Sequence, residues 1–141
     1  MKILFLYGPN LDMLGGREPQ IYGDMTLKQL NKYTKKMLKG KAKVYFYQTN
    51  SEEKLIKKIH RADRFDGVVI NAGALSHYSY ALYDAIKCVN TPFAQAHISD
   101  IASREDFRKV SVIEPACVVT VSGKGKDSGV LAANYLMAHA K

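Results

Sequence analysis

Short apolar runs rich in Val, Ile, Tyr and Phe alternate along the chain with segments whose apolar residues recur every three to four positions. Lys2–Tyr7, Val44–Gln48, Gly67–Asn71, Phe93–His97 and Cys117–Ser122 have the length and composition of strands. Helical spacing covers Thr26 to about Lys39, with Leu27, Leu30, Met37 and Leu38 facing inward and Gly40 ending the helix. A second helix opens at Asn50-Ser51-Glu52-Glu53, where Asn50 can cap and Glu53 can reach back as in a capping box, and it runs to about Ala62. A third spans Ser79–Val89 and the last covers roughly Lys126–Ala140, while a single helical turn is expected from Ser103 to about Phe107.

Strict alternation of strand and helix with short connections predicts an α/β fold, a parallel sheet covered on both faces and joined by right-handed crossovers. Five strands in a chain of 141 residues point to one flavodoxin-like domain over residues 1–141, with strand order 2-1-3-4-5. In that order ligands sit beyond the C-terminal ends of the strands, at the switch point between strands 1 and 3.

The formal charge of +8 raises the question of nucleic acid, since basic surfaces bind polyanions by counterion release. Much of the excess, however, is Lys35, Lys36, Lys39, Lys54, Lys57 and Lys58, spaced to lie opposite Leu30, Leu38, Leu55, Ile56 and Ile59. They read as solvated helix faces, so no nucleic-acid partner is expected. A positive field would still draw in a small anionic substrate. Cys88 and Cys117 stand in apolar stretches without C-x-x-C spacing, and are expected to be small core residues. Gly8-Pro9-Asn10 interrupts the first apolar run too early for a signal peptide, and no segment reaches the ~18 apolar residues of a membrane span. A cytoplasmic protein with no membrane contact is the expectation.

The predicted ends of strands 1, 3 and 4 carry Asn10, Asn71 and His97. Each alone is as readily a turn residue or a satisfied histidine at the core's edge, but all three converge on the predicted crevice. The connection after strand 1, Gly8 to about Met25, far exceeds the usual ~2–6 residues and has the length of a lid or binding loop. Its glycines flank Arg17 and Tyr22. An ordinary phenol loses its proton near pH ~10, so a base at neutral pH needs a nearby guanidinium. An exposed loop with incidental residues is the equal alternative. His77 and Asp84 bracket the start of the third helix, Ile98-Ser99 offers amide groups just past His97, and the Ser103 turn presents an N-terminus to an anion. Arg104 and Arg108, four residues apart, can face one side, and one of them could bind a substrate oxygen.

Gly8-Pro9-Asn10-Leu11, Leu14-Gly15, Arg17-Glu18-Pro19 and Tyr22-Gly23 resemble the signature of type II dehydroquinases, the dodecameric 3-dehydroquinate dehydratases of the shikimate and quinate pathways. Further blocks agree in order to about residue 125: Gln48-Thr49-Asn50, Asn71-Ala72-Gly73-Ala74 with His77, His97-Ile98-Ser99, and Arg104-Glu105 with Phe107-Arg108. The resemblance implies a trans elimination through an enolate without metal or cofactor. By position it makes Tyr22 the base, Arg17 the cation that holds it as phenolate, Asn10 the residue placing a water on the enolate, and His97 the acid, steadied by Asn71. The Ile98 and Ser99 amides would take the substrate carboxylate, and His77, Arg108 and a neighbouring subunit's copy of Asp84 would hold ring hydroxyls.

Three positions depart from the pattern. Gln95 stands where the family has glutamate and cannot stabilise an imidazolium as a carboxylate does. Asp100 replaces asparagine and adds negative charge near the expected carboxylate subsite, weakening binding unless it points away. Gly123–Gly129 follows the family's closing glycine motif only in part. Gln95 and Asp100 motivate the alternative of a non-catalytic or altered-substrate homologue. A nucleotide- or flavin-binding module is a third reading, but Gly123–Gly129 fits neither G-x-x-x-x-G-K-[ST] nor G-x-G-x-x-G.

Overall fold

In the computed structural model, which describes residues 1–16 and 18–140, five parallel strands form one sheet in the order β2-β1-β3-β4-β5. They are β1 (Lys2–Tyr7), β2 (Lys43–Gln48), β3 (Gly67–Asn71), β4 (Phe93–His97) and β5 (Val119–Ser122). The helices are α1 (Pro19–Tyr22), α2 (Leu27–Met37), α3 (Glu52–Ile59), α4 (Tyr80–Lys87) and α5 (Ser128–Ala138). The flavodoxin-like order read from the alternation is the one observed. Among the described residues no helix is long and apolar enough to cross a membrane.

Side chains of β1 alternate between two cores, as the period of two demands. Ile3, Phe5 and Tyr7 join Val69, Ala94 and Ala96 under α2 and α5, where Leu30, Val130, Ala133 and Leu136 cover them. Leu4 and Leu6 join Val68, Ile70 and Phe93 on the other face, beneath Leu55 and Ile59 of α3 and Leu82, Ala85 and Ile86 of α4. β1, β3 and β4 are buried on both faces, and β1 and β3 accordingly run almost continuously apolar, while β4 carries Gln95 and His97 among its apolar residues. A polar residue in such a strand is therefore costly unless it is paired or used.

Several boundaries differ from expectation for identifiable reasons. Thr26 caps α2 through a full capping box with Gln29, and the chain turns at Gly40 with φ +78°. Ser51, not Asn50, caps α3, because the Asn50 side chain is already engaged by the Asn10 N–H and the Gln48 amide. The helical turn expected from Ser103 to Phe107 is two separate 3-10 turns, Ile101–Ser103 and Asp106–Arg108, with Arg104 extended at ψ −172° between them. No helix N-terminus is presented there. Cys88 is exposed at the C-terminal end of α4 and Cys117 half-buried, so neither is the fully buried residue expected.

The switch point is packed backbone against backbone. A Cβ on Gly8 would lie 2.5 Å from the Ala72 carbonyl oxygen, and one on Gly73, whose φ is +60°, would lie 2.7 Å from that of Pro9. Both contacts are with main chain, which cannot swing aside as a side chain can.

Candidate active site

The C-terminal ends of β3 and β4 and the segments after them enclose a cavity. Its lining includes Tyr22, Asn71, His77, His97, Ile98, Ser99, Arg104 and Arg108. Its free volume is only ≈ 30 Å³, room for roughly one or two waters and too little for a six-membered ring. A ring-sized ligand must displace part of the wall.

The sheet supplies one side. His97 ends β4 with 5 % of its surface exposed, and its Nε2 is buried without a hydrogen-bond partner among the described residues. Burial, with a smaller contribution from His77, pulls its pKa from 6.5 down to about 4, so the imidazole rests neutral. The two imidazole rings lie nearly parallel with centroids 6.4 Å apart. His77 Nδ1 lies 2.8 Å from the Val110 carbonyl oxygen, which can only accept, so the proton sits on Nδ1 and Nε2 is the nitrogen left for a ligand. Asn71 is also buried, and its carboxamide oxygen accepts the Gly73 N–H at 3.1 Å. Its NH2 is thereby turned to whatever occupies the cavity.

The long connection after β1 supplies another side. Residues 19–22 form the short helix α1, which ends at Gly23 with φ +79° and brings the half-buried Tyr22 to the cavity. Glu18, just before it, holds a left-handed φ of +33°, a conformation that non-glycine residues adopt only when surroundings impose it. Arg104 donates from one guanidinium nitrogen to the Tyr22 hydroxyl at 3.0 Å and to Ser99 Oγ at 3.1 Å, and its cation lies 5.2 Å from the phenol ring centre. A guanidinium so placed stabilises negative charge on the phenol oxygen. The sequence offered Arg104, alongside Arg108, as a possible ligand of a substrate oxygen and not as the partner of Tyr22. The expected common helix face does not exist, yet both arginines reach the cavity from the extended link and the second 3-10 turn. Arg108 Nε lies 2.6 Å from a Glu105 carboxylate oxygen but off the N–H direction, an ionic contact rather than a directed hydrogen bond.

Of the remaining predicted residues, Asn10 and Asp84 are placed elsewhere. Arg17 lies outside the described residues. Asn10 is exposed with a left-handed φ of +71°, its N–H given to Asn50, and does not line the cavity of this chain. Asp84 is exposed on α4, on the same helix face as Tyr80, and is also absent from the cavity lining.

Two of the departures acquire an explanation. The Asp100 carboxylate accepts the Ala102 N–H at 3.1 Å and does not line the cavity, so its charge is directed into the following turn. Gln95 is fully buried, accepting from Ser111 Oγ at 2.7 Å and donating to Thr120 Oγ1 at 3.0 Å. It braces the segment after Arg108 against β4 and β5 and makes no hydrogen bond to His97.

Comparison with known proteins agrees with this architecture. Residues 1–137 match the family Dehydroquinase class II. A 3-dehydroquinate dehydratase of Caldicellulosiruptor saccharolyticus is 48% identical over 134 residues, covering 93% of this chain and 92% of its own. The type II dehydroquinase of Butyrivibrio crossotus superposes with a TM-score of 0.93 at 41% identity over 96% of this chain and 97% of its own, and that of Propionibacterium acnes with 0.92 at 41% over 97% and 96%. By matched length, identity and fold together, the chain belongs to the class II dehydroquinase family.

Proposed function

We propose that this protein dehydrates 3-dehydroquinate to 3-dehydroshikimate in the cytoplasm by a trans elimination through an enolate, with Tyr22 as base and His97 as acid. The observation that carries the proposal is the pairing of Tyr22, its oxygen held by the Arg104 guanidinium, with a His97 Nε2 that has no hydrogen-bond partner among the described residues, in the wall of the same cavity. A proton beside a ketone needs a strong base on one face, and a departing hydroxyl needs an acid on the other. Arg104, with Arg17, keeps the phenol oxygen anionic, and Asn10 places the water that steadies the enolate oxygen. The Ile98 and Ser99 amides take the substrate carboxylate, while Asn71, His77 and Arg108 hold the remaining oxygens. His97 rests neutral; the anionic substrate beside it raises its affinity for the proton it must deliver.

Association of copies completes the site in this reading. Tyr78, Tyr80, Phe107 and Val110 are 62%, 69%, 63% and 61% exposed, too much apolar surface near the cavity to leave bare. Asp84 shares the Tyr80 face of α4, so a neighbouring copy docked on this surface brings Asp84 to the ring hydroxyls, within a dodecamer built as a tetramer of trimers. Gel filtration tests the assembly.

Conversion of 3-dehydroquinate, followed by the rising absorbance of the enone product, tests the reaction. Turnover supports it; folded, assembled protein without turnover rejects it. The second reading, a homologue that is inactive or uses another substrate, is favoured by Gln95, which leaves His97 without a hydrogen-bonded carboxylate.

A further inference from the structure

The segment from His97 to Arg104 carries the acid, the two proposed carboxylate-binding amides and the guanidinium on Tyr22. Its conformation is imposed from β5. The β4–β5 register places His97 beside Ser122, and Gly123, at φ +76°, then turns its N–H back onto β4. Gly123 N–H lies within hydrogen-bond distance of both the His97 and Ser99 carbonyls, at 3.3 and 3.1 Å, and Gly125 N–H donates to the Ile98 carbonyl at 3.1 Å. Three successive carbonyls are thereby turned toward β5. In a trans peptide the N–H points opposite the preceding carbonyl, so the Ile98 and Ser99 N–H groups point away from β5. Among the described residues neither has a main-chain acceptor.

One side chain belongs to this clamp. Ser122 Oγ donates to the Ser99 carbonyl at 3.1 Å and accepts the Ile101 N–H at 3.2 Å, bridging the two sides of the turn that Ser99 opens. Ser99 Oγ in turn accepts from Arg104, so Ser122 braces the carbonyl of the residue that helps hold the Tyr22 guanidinium.

We infer that Ser122 is a positioning residue for substrate: by holding the Ser99–Asp100 peptide, next along the chain from the two peptides that carry the Ile98 and Ser99 N–H groups, it keeps those amides aimed at the substrate carboxylate, without touching substrate itself. The inference rests on the reaction proposed above and assigns its carboxylate subsite a support in β5. A contact made equally to ground state and transition state appears in KM rather than kcat. Losing the hydroxyl should therefore raise KM by about 5- to 10-fold, the range expected from one or two net hydrogen bonds, with kcat changed less than about twofold.

The test uses the assembled full chain and compares Ser122→Ala and Ser122→Thr with the parent. Ser122→Ala should show the KM increase, and Ser122→Thr, which retains a hydroxyl, should restore KM to within about twofold. Two competitive probes separate aiming from general loosening. Inhibition by quinate should weaken in Ser122→Ala by the same factor as KM, while inhibition by quinamide, which lacks the carboxylate, should not change. Equal weakening of both probes, a fall confined to kcat, or an unchanged KM would overturn the assignment. Absence of turnover by the parent would instead remove the proposed reaction, and this role with it.

Discussion

The two sides of the cavity are built differently. Asn71 and His97 terminate strands buried on both faces, and the sheet register fixes where they sit. Tyr22 rides on a four-residue helix between a strained Glu18 and a positive-φ glycine, with the Arg104 hydrogen bond anchoring its hydroxyl. The sheet side is thus preformed, whereas the Tyr22 side is placed by a few polar contacts that a ligand can rearrange. With ≈ 30 Å³ between them, opening must fall on the side with less to lose.

Four perturbations sharpen this contrast. The largest effect is expected from Tyr22→Phe, which removes the base but not the ring: turnover should fall by about 10²–10⁴-fold while quinate still binds. Near-normal activity would eliminate Tyr22 as the base. Arg104→Ala should cost about 10²–10³-fold, mainly in kcat, because in the proposed reaction the guanidinium holds the phenol oxygen in the anionic form that removes the proton. If only KM changed, Arg104 would be a substrate ligand instead.

The third perturbation is acid, and it acts on the sheet side. His97 has its pKa lowered from 6.5 to about 4, so between those values the unfolded chain binds a proton that the native chain refuses. Stability contributed by the neutral native imidazole is therefore lost as pH falls through this window, by up to roughly 3 kcal/mol. Denaturant titrations from pH 7 to 4 should show that decline, with a shallower slope in His97→Gln; identical slopes would mean the buried imidazole is not responsible. The smallest effect belongs to Gln95→Glu. A carboxylate buried two residues before His97 should raise the imidazole pKa, visible by NMR, and increase turnover by about two- to fivefold. A decrease would show that the Ser111–Gln95–Thr120 brace matters more than charge.

The same contrast explains what could be read from sequence. Strand-borne positions follow from a period of two and a topology with few alternatives, so a crevice beside Asn71 and His97 could be located from the alternation of elements alone. Arg104 could not be paired with Tyr22, because the partners are 82 residues apart and the helix expected at Ser103 breaks into two turns around an extended arginine. Asn50 illustrates another limit. It is a good cap by type, but a tertiary bond from Asn10 and a local one from Gln48 claim its side chain and leave the cap to Ser51. Asp84 was legible as an acid among apolar neighbours, and its exposure on α4 is the commoner outcome for such a residue.

At Gly8 and Gly73 two stretches of main chain press together so closely that a single added methyl has nowhere to go. That seam admits neither solvent nor ligand between the two segments. The Tyr22 wall, held by fewer contacts, is the one whose position governs how freely either reaches the chamber.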